Sequence, residues 1–216
     1  MVTPRLFPER IETERLELEL LTTGSVDTTE FYRICSGQAD EGDFSEVTEH
    51  LTWSAHDHPK ETLEFLRRVE EKAGEDEGAT YAIYPKEDEE RAGELAGAAG
   101  IRAHWDRRTA GFGVWLRRPF WGRGYSGERA AAFVEVAFEH LDLELVAVSH
   151  EVGNDQSRRA IEKYVEAHGG HREGRFRNRM VGQDGGDPVD VVRYSISREE
   201  YEAATADRDP AIVAME

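Results

Sequence analysis

The chain has 216 residues, a length that suits one α/β domain with a buried core, and no run of about 18 or more apolar residues that would span a bilayer. Its formal charge is −18, with 45 Asp and Glu against 27 Lys and Arg, which argues against non-specific nucleic-acid binding, since that needs a basic footprint. The single cysteine, Cys35, excludes an intrachain disulfide framework and fits a reducing compartment.

Lysine is confined to Lys60, Lys72, Lys86 and Lys163, whereas arginine is plentiful. An acidic, lysine-poor surface points to a cytoplasm of very high salt, where self-repulsion is screened within a few Å, and so to a halophilic source. Met1 to Arg10 lacks the apolar region of a secretory signal, so a cytoplasmic location is expected. Cys35 reads as a packed thiol, the usual state of a free cysteine.

Arg15 to Leu21 alternates apolar and acidic residues and predicts a strand with one wet face. Asp27 to Cys35 predicts a short helix capped by Asp27 or Thr28. Gly37 to His50 is polar and acidic and reads as a mobile helix-loop. In Pro59 to Lys72, apolar Leu63, Leu66 and Val69 recur every third residue behind a proline suited to the first turn, so a helix is expected. Ala79 to Tyr84, Glu94 to Ala103 and Ala110 to Leu116 follow as strands, with a solvated turn over Pro85 to Gly93 and a hairpin over Asp106 to Thr109.

Gly124 to His140 carries a single apolar stripe of Ala130, Val134, Ala137, Phe138 and Leu141, the pattern of an amphipathic helix. Leu143 to Ser149 reads as a buried strand. Asn154 to Ala167 reads as a helix capped by Asn154 and ended by Gly169 and Gly170. Arg175 to Val181 and Val189 to Ser197 are the last expected strands. The order predicts an α/β (α+β) fold, a mixed central β-sheet with helices on both faces. It forms a single domain over 1–203, and 204–216 is a polar C-terminal tail.

Gly113 to Arg129 (GVWLRRPFWGRGYSGER) is the stretch that carries chemistry. A strand runs into Gly122-Arg123-Gly124, and that loop opens the long helix. Helix N-termini present unpaired N–H groups and the positive end of a dipole, and glycine lets an anion approach the backbone, so the loop suits a phosphate or pyrophosphate. Arg117, Arg118, Arg123 and Arg129 form a basic island there on an otherwise acidic chain. No Lys-Ser/Thr follows the glycines, as a P-loop requires, and the third glycine of a dinucleotide fold is missing. Asn154 opens the next helix, with Ser157 three residues on in its first turn.

Gly113-Val114-Trp115-Leu116, Trp121-Gly122-Arg123-Gly124-Tyr125-Ser126 with Glu128, and Asn154-x-x-Ser157 followed by Glu162-Lys163 resemble the GNAT superfamily, in particular the RimJ/RimL type that acetylates N-terminal amines of ribosomal proteins. The resemblance begins at Ile11-x-Thr13-x-Arg15-Leu16, takes in Thr52-Trp53, Tyr81-Ala82-Ile83 and Glu173-Gly174, and ends with Asp190-Val191-Val192-Arg193-Tyr194-Ser195-Ile196. It implies a GNAT fold and an acetyl-CoA-dependent N-acetyltransferase that needs no metal.

The resemblance also implies roles for residues. Main-chain amides of Trp121, Gly122, Arg123, Gly124, Tyr125 and Ser126 would bind the pyrophosphate of coenzyme A. The strand end at Leu116 and Arg118 would pair with the pantetheine arm, and an amide near Leu116 would donate to the thioester carbonyl as its oxyanion forms. Asn154 would touch the cofactor, and Ser157 would donate a proton or hydrogen bond to the departing thiolate. Three departures stand out: Ser126 replaces a small residue, Val165 to His168 lengthen the second helix by about a turn, and Gly170 replaces an aromatic residue. The tyrosine that many GNAT enzymes use as an acid falls at Ile161, so Tyr164 is not its equivalent and reads as packing.

His104, Glu46, Glu173 and Asp190 are open candidates for the general base. His56 and His58, beside Trp53, are candidates to line an acceptor pocket but lack further ligands for a metal. The expected acceptor is a protein or peptide α-amine such as a ribosomal-protein N-terminus. Asp40, Glu41, Asp43, Glu46 and Glu49 would suit a basic acceptor, although halophilic surface charge explains them equally. A small-molecule amine acetyltransferase and a non-catalytic acyl-CoA-binding module are the alternatives, the second disfavoured because Asn154 and Ser157 are both retained. A homodimer is compatible with the sequence, and no stretch argues for it specifically.

Overall fold

A computed structural model describes residues 5–40 and 44–216. The charges expected from Glu41 and Asp43, and the first four residues, lie outside that range. Nine strands form one sheet: β1 (Arg10–Glu12), β2 (Leu16–Leu20), β3 (Gly78–Pro85), β4 (Gly97–His104), β5 (Thr109–Leu116), β6 (Leu145–Glu151), β7 (His171–Val181), β8 (Pro188–Ser197) and β9 (Ala214–Met215). Their order across the sheet is β7-β8-β6-β5-β4-β3-β2-β1-β9. Every described neighbour pair is antiparallel except β5 and β6. The mixed sheet predicted from the element order is therefore present.

Helices cover both faces, because the strands are apolar on both. In β3, Ala79, Tyr81 and Ile83 point into one core while Ala82 points into the other. The larger core collects α4 (Tyr125–Glu135), α5 (Asp155–Ala167) and α6 (Arg198–Thr205), through Phe133, Ile161, Val165 and Tyr201 among others. The smaller core holds α1 (Thr28–Cys35) and α3 (Pro59–Gly74) against Leu21, Ala82 and Ala98. Cys35 is buried within it, and burial pushes its thiol up to about 12, so it is a protonated packing group. A one-turn helix, α2 (Ser45–Thr48), stands within the acidic Gly37 to His50 stretch.

Local signals account for most boundaries. Asp27 accepts from the Glu30 amide at 2.8 Å and caps α1, and Asn154 accepts from the Ser157 amide at 2.9 Å and caps α5. The long helix expected to His140 is α-helical to Glu135 and π-helical over Val136–His140. Within the expected polar tail, Ala204 and Thr205 close α6 and Ala214–Met215 form a short strand. A capping box of Ser197 and Glu200 starts α6, and Ala214–Met215 pairs antiparallel with β1, with Glu9 N–H donating to Glu216 O at 2.6 Å. No side-chain pattern of a two-residue strand can announce such backbone pairing.

Gly170 stands where the resemblance leads one to expect an aromatic side chain. A Cβ there would lie 2.2 Å from Ser195 O and 2.6 Å from a carbon of Ile196, so β8 passes too close for any side chain. Gly170→Ala should therefore lower stability by ~1–3 kcal/mol, the usual cost of overpacking. Thermal unfolding of the two proteins checks this, and an unchanged midpoint would show that β8 can shift aside.

Candidate functional site

β5 and β6 run parallel for only two residue pairs, Thr109 with Leu145 and Ala110 with Val146. Beyond them β6 stays on β8 through Glu151, while β5 stays on β4 through Leu116. The two strands thus diverge and leave an open wedge in the sheet. Arg117 N–H donates to Ala96 O at 2.8 Å, so the backbone groups of Trp115 face β4 and those of Val114 and Leu116 face the wedge. The Leu116 carbonyl is already used, since Trp121 Nε1 donates to it at 2.7 Å. Its amide remains directed at the opening.

The chain then turns through Gly122 and Gly124, at φ 75° and 84°, into the first turn of α4. Left-handed backbone of this kind favours glycine. The amides of Gly122 to Ser126 find no acceptor among the described residues, as the start of a helix dictates. A cleft of about 900 Å³ runs from this turn to α5. Leu116, Trp121, Gly122, Gly124, Tyr125, Ser126, Asn154 and Ser157 line it, so eight of the ten predicted positions share one wall system. Arg118 and Arg123 are not among its lining residues.

The basic island is dispersed by ion pairs. Arg117 is buried and holds Asp40 through two hydrogen bonds, 2.6 Å and 2.5 Å, with Leu95 O as a third partner at 2.7 Å. Arg118 pairs with Glu46 at 2.8 Å, and Arg123 with Glu90 at 2.9 Å. Arg129 is buried in the core beneath α4. The cations that line the cleft are instead Arg15, Arg159 and Lys163. Arg159 and Lys163, four apart on α5, share a helix face, a spacing legible in the sequence.

Glu128 ties the turn to the N-terminal strands. It accepts from Thr13 Oγ1 at 2.6 Å, from the Arg15 amide at 2.8 Å and from Arg15 Nε at 2.8 Å. Arg15 also donates to Arg123 O at 3.0 Å. The Thr13-x-Arg15 motif and Glu128 therefore form one structural unit.

Two smaller spaces adjoin the wedge. One of about 350 Å³ lies within it, lined by Trp115, Ser126, Asn154, Ser157 and Tyr164, all shared with the large cleft. Tyr164 is buried and its phenol is pushed up to about 12 by that burial. The other, about 750 Å³, lies on the α3 side of the sheet and meets the first at Trp53, Phe112 and Trp115. Trp53 and Trp115 stack edge to face there, 5.5 Å apart.

The candidate bases scatter. Glu46 is held by Arg118, Glu173 pairs with Arg193 at 3.0 Å, and Asp190 is fixed by Arg175 at 2.7 Å and by the Asn178 amide. The Asn178 and Arg175 hydrogen bonds hold the Asp190 carboxyl below its usual range. Neither Glu173 nor Asp190 lines any of the three spaces. His104 and His56 line the α3-side groove, and burial holds both imidazoles below their ordinary range. His58 is exposed and pairs loosely with Glu61. No group of three His, Cys, Asp or Glu side chains suited to a metal occurs among the described residues.

A pair that sequence reasoning missed is His50 with Glu151. The imidazole Nδ1 lies 3.1 Å from the carboxylate, and His50 lines both the large cleft and the 350 Å³ cavity. A hundred and one residues separate the two, so no spacing could have joined them. The α3-side groove also reverses the expected charge. Arg68, Lys72 and Arg102 line it with Glu77, while Asp40 and Glu46 are occupied by arginines.

A family model for the acetyltransferase (GNAT) domain matches residues 15–164. YdaF of Bacillus subtilis (strain 168), whose name assigns it provisionally as a ribosomal N-acetyltransferase, is 33% identical over 97 residues, 44% of this chain and 49% of YdaF, so the match spans about half of that relative. A solved structure of a provisionally assigned acetyltransferase from T. thermophilus is 27% identical, with a TM-score of 0.67 over 95% of this chain and 96% of that one. RimL, a ribosomal L7/L12 alpha-N-protein acetyltransferase, shares the fold, with a TM-score of 0.69 and 18% identity over 91% of this chain and 99% of RimL. Among the described residues, no helix is long and apolar enough to cross a membrane.

Arg117 is the buried brace of the site. Removing its carboxylate partner with Asp40→Ala leaves a buried cation short of its counter-charge and should cost ~3 kcal/mol. Urea unfolding measures this, and a loss under about 1 kcal/mol would mean that Leu95 O, with Glu94 3.7 Å away, satisfies the guanidinium unaided.

Proposed function

Because the chain belongs to the GNAT acetyltransferase family, we propose that it transfers the acetyl group of acetyl-CoA to a primary amine by direct attack, the acceptor being the α-amine of a protein or peptide N-terminus of the ribosomal-protein type. The observation that carries this reading is the wedge between β5 and β6, which opens beside a helix start with free amides. A long, thin molecule with phosphates at one end and a thioester at the other fits that combination. Amides of Gly122 to Ser126 would hold the pyrophosphate, with Arg15, Arg159 and Lys163 supplying positive charge nearby. The cofactor supplies an activated acyl group, and the protein supplies position and polarisation.

The outward amide of Leu116 or Val114 would donate to the thioester oxygen as negative charge develops there. Ser157, at the cleft end of α5, would donate to the departing thiolate. Its amide is committed to the Asn154 cap, so the cap also fixes the direction of its side chain. His50 is assigned as the base. With Nδ1–H donating to Glu151, Nε2 becomes the proton acceptor, and the carboxylate stabilises the imidazolium that forms. An α-amine, with a pKa near 8, is about 2.4 units easier to deprotonate than a lysine amine, a difference of ~3 kcal/mol. An imidazole base suits the more easily deprotonated α-amine better.

Arg68, Lys72 and Arg102 around the groove favour an acceptor with carboxylates close to its amine. An acidic peptide N-terminus has that character, whereas a polyamine has the opposite one. Release of free thiol from acetyl-CoA in molar KCl, with acidic and basic N-terminal peptides, amino acids and polyamines as acceptors, tests the reading. Acidic peptides should turn over best. Ser157→Ala should lower kcat by ~10²-fold and leave KM for acetyl-CoA nearly unchanged, and His50→Ala should lower kcat/KM for the amine by a similar factor. Wild-type rates in either variant would remove that residue from the mechanism. Binding of acetyl-CoA without release for any acceptor would favour the binding-module reading.

A further inference from the structure

Arg129 is the largest side chain that the fold buries completely. Its Nε and Nη1 have no hydrogen-bond partner, and it takes part in no ion pair among the described residues. Its guanidinium carbon lies 5.2 Å from the centre of the Phe133 ring, over the ring face. A ring face compensates a buried cation far less well than a carboxylate does. Burial holds the guanidinium below the ordinary arginine range, at about 10, which still leaves it charged at neutral pH.

Arg129 is among the residues lining the 350 Å³ cavity in the wedge, together with Ser126, Asn154, Ser157 and Tyr164. The one carboxylate lining that cavity among the described residues is Glu151, which is engaged by His50. At about 350 Å³ the space is larger than a two-carbon acyl group fills. The cavity shares Trp115, Ser126, Asn154 and Ser157 with the acyl-CoA cleft, so it lies where the acyl end of the donor would arrive.

We propose that this cavity receives an acyl chain ending in a carboxylate, so that the enzyme also uses a short dicarboxylic acyl-CoA of the succinyl class, with Arg129 as the residue that binds the distal carboxylate. The inference rests on the acyl-CoA reading given above. The chemistry is otherwise unchanged. The amine nitrogen forms the C–N bond, the C–S bond breaks, and the proton lost by the neutral amine is relayed from the base to the departing thiolate, which leaves as the thiol. The distal carboxylate stays intact, so no oxidant or reductant is needed.

Calorimetric titration of the intact chain with CoA, butyryl-CoA and succinyl-CoA, without acceptor, tests this. Butyryl-CoA has the same four-carbon chain and no carboxylate, and leaving out the acceptor separates an acyl carboxylate from one carried by the amine. Succinyl-CoA should bind at least about tenfold more tightly than butyryl-CoA, and Arg129→Met should bring the two within about twofold. Arg129→Lys, which keeps a cation, should retain part of the preference. If Arg129→Met does not fold, the wild-type ratio of the two donors decides alone. Equal affinity of succinyl-CoA and butyryl-CoA in the wild type would overturn the inference and leave the acyl-CoA reading intact. Failure to bind any of the three would overturn both.

Discussion

The site depends on a parallel pairing that is only two residues long. β5 and β6 can separate after Ala110 and Val146 because each keeps an antiparallel partner on its outer side, β4 for one and β8 for the other. Half of the backbone groups lost from the central ladder are thus free to meet a ligand, while the strands that carry them stay fixed. An unpaired backbone group buried away from water is costly, so such a wedge is stable only where a polar ligand or water can enter it. The large cleft and the 350 Å³ cavity provide that entry.

Charge is arranged around this wedge in an uneven way. The chain is strongly acidic, and most arginines near the glycine turn are braces rather than ligands. Arg117, Arg118 and Arg123 each hold a carboxylate from a distant stretch of chain, and they fasten the loops beside the turn. The cations left to meet solutes lie elsewhere: Arg159 and Lys163 along the cleft, and Arg68, Lys72 and Arg102 around the groove on the other face. Anionic groups can therefore approach from both sides of a protein whose overall field would repel them. Surface pairs such as Arg118–Glu46 weaken as salt screens them, whereas the buried Arg117–Asp40 pair is shielded from that effect.

Much of the fold was legible because it is written in local signals. Asp27, Asn154 and Pro59 mark helix starts, and the apolar stripe from Ala130 to Leu141 marks the long helix. The end of the chain departs from expectation for two different reasons. α6 has a readable capping box in Ser197 and Glu200, which a polar composition obscures, while β9 exists only because Glu9 to Glu12 lies beside it. At the site, the glycine turn and Asn154 with Ser157 can be read from order along the chain. The destinations of the arginines cannot, because Asp40 and Glu90 lie far away in sequence. The His50–Glu151 pair and the burial of Arg129 without hydrogen-bond partners for Nε and Nη1 likewise arise only when distant segments meet.

Glu128 has a wider consequence. By accepting from Thr13 and Arg15, it makes the first turn of α4 and the entry to β2 a single cooperative unit, although 113 residues separate them. Local opening at the entry to β2 then takes the glycine turn with it. The linkage is reciprocal, so a ligand that orders the turn must also suppress local opening at the entry to β2 by an equal free energy. Amide exchange along Leu16–Leu20 is where that shared stability is to be observed, and β2 is in that sense a reporter of the state of the turn.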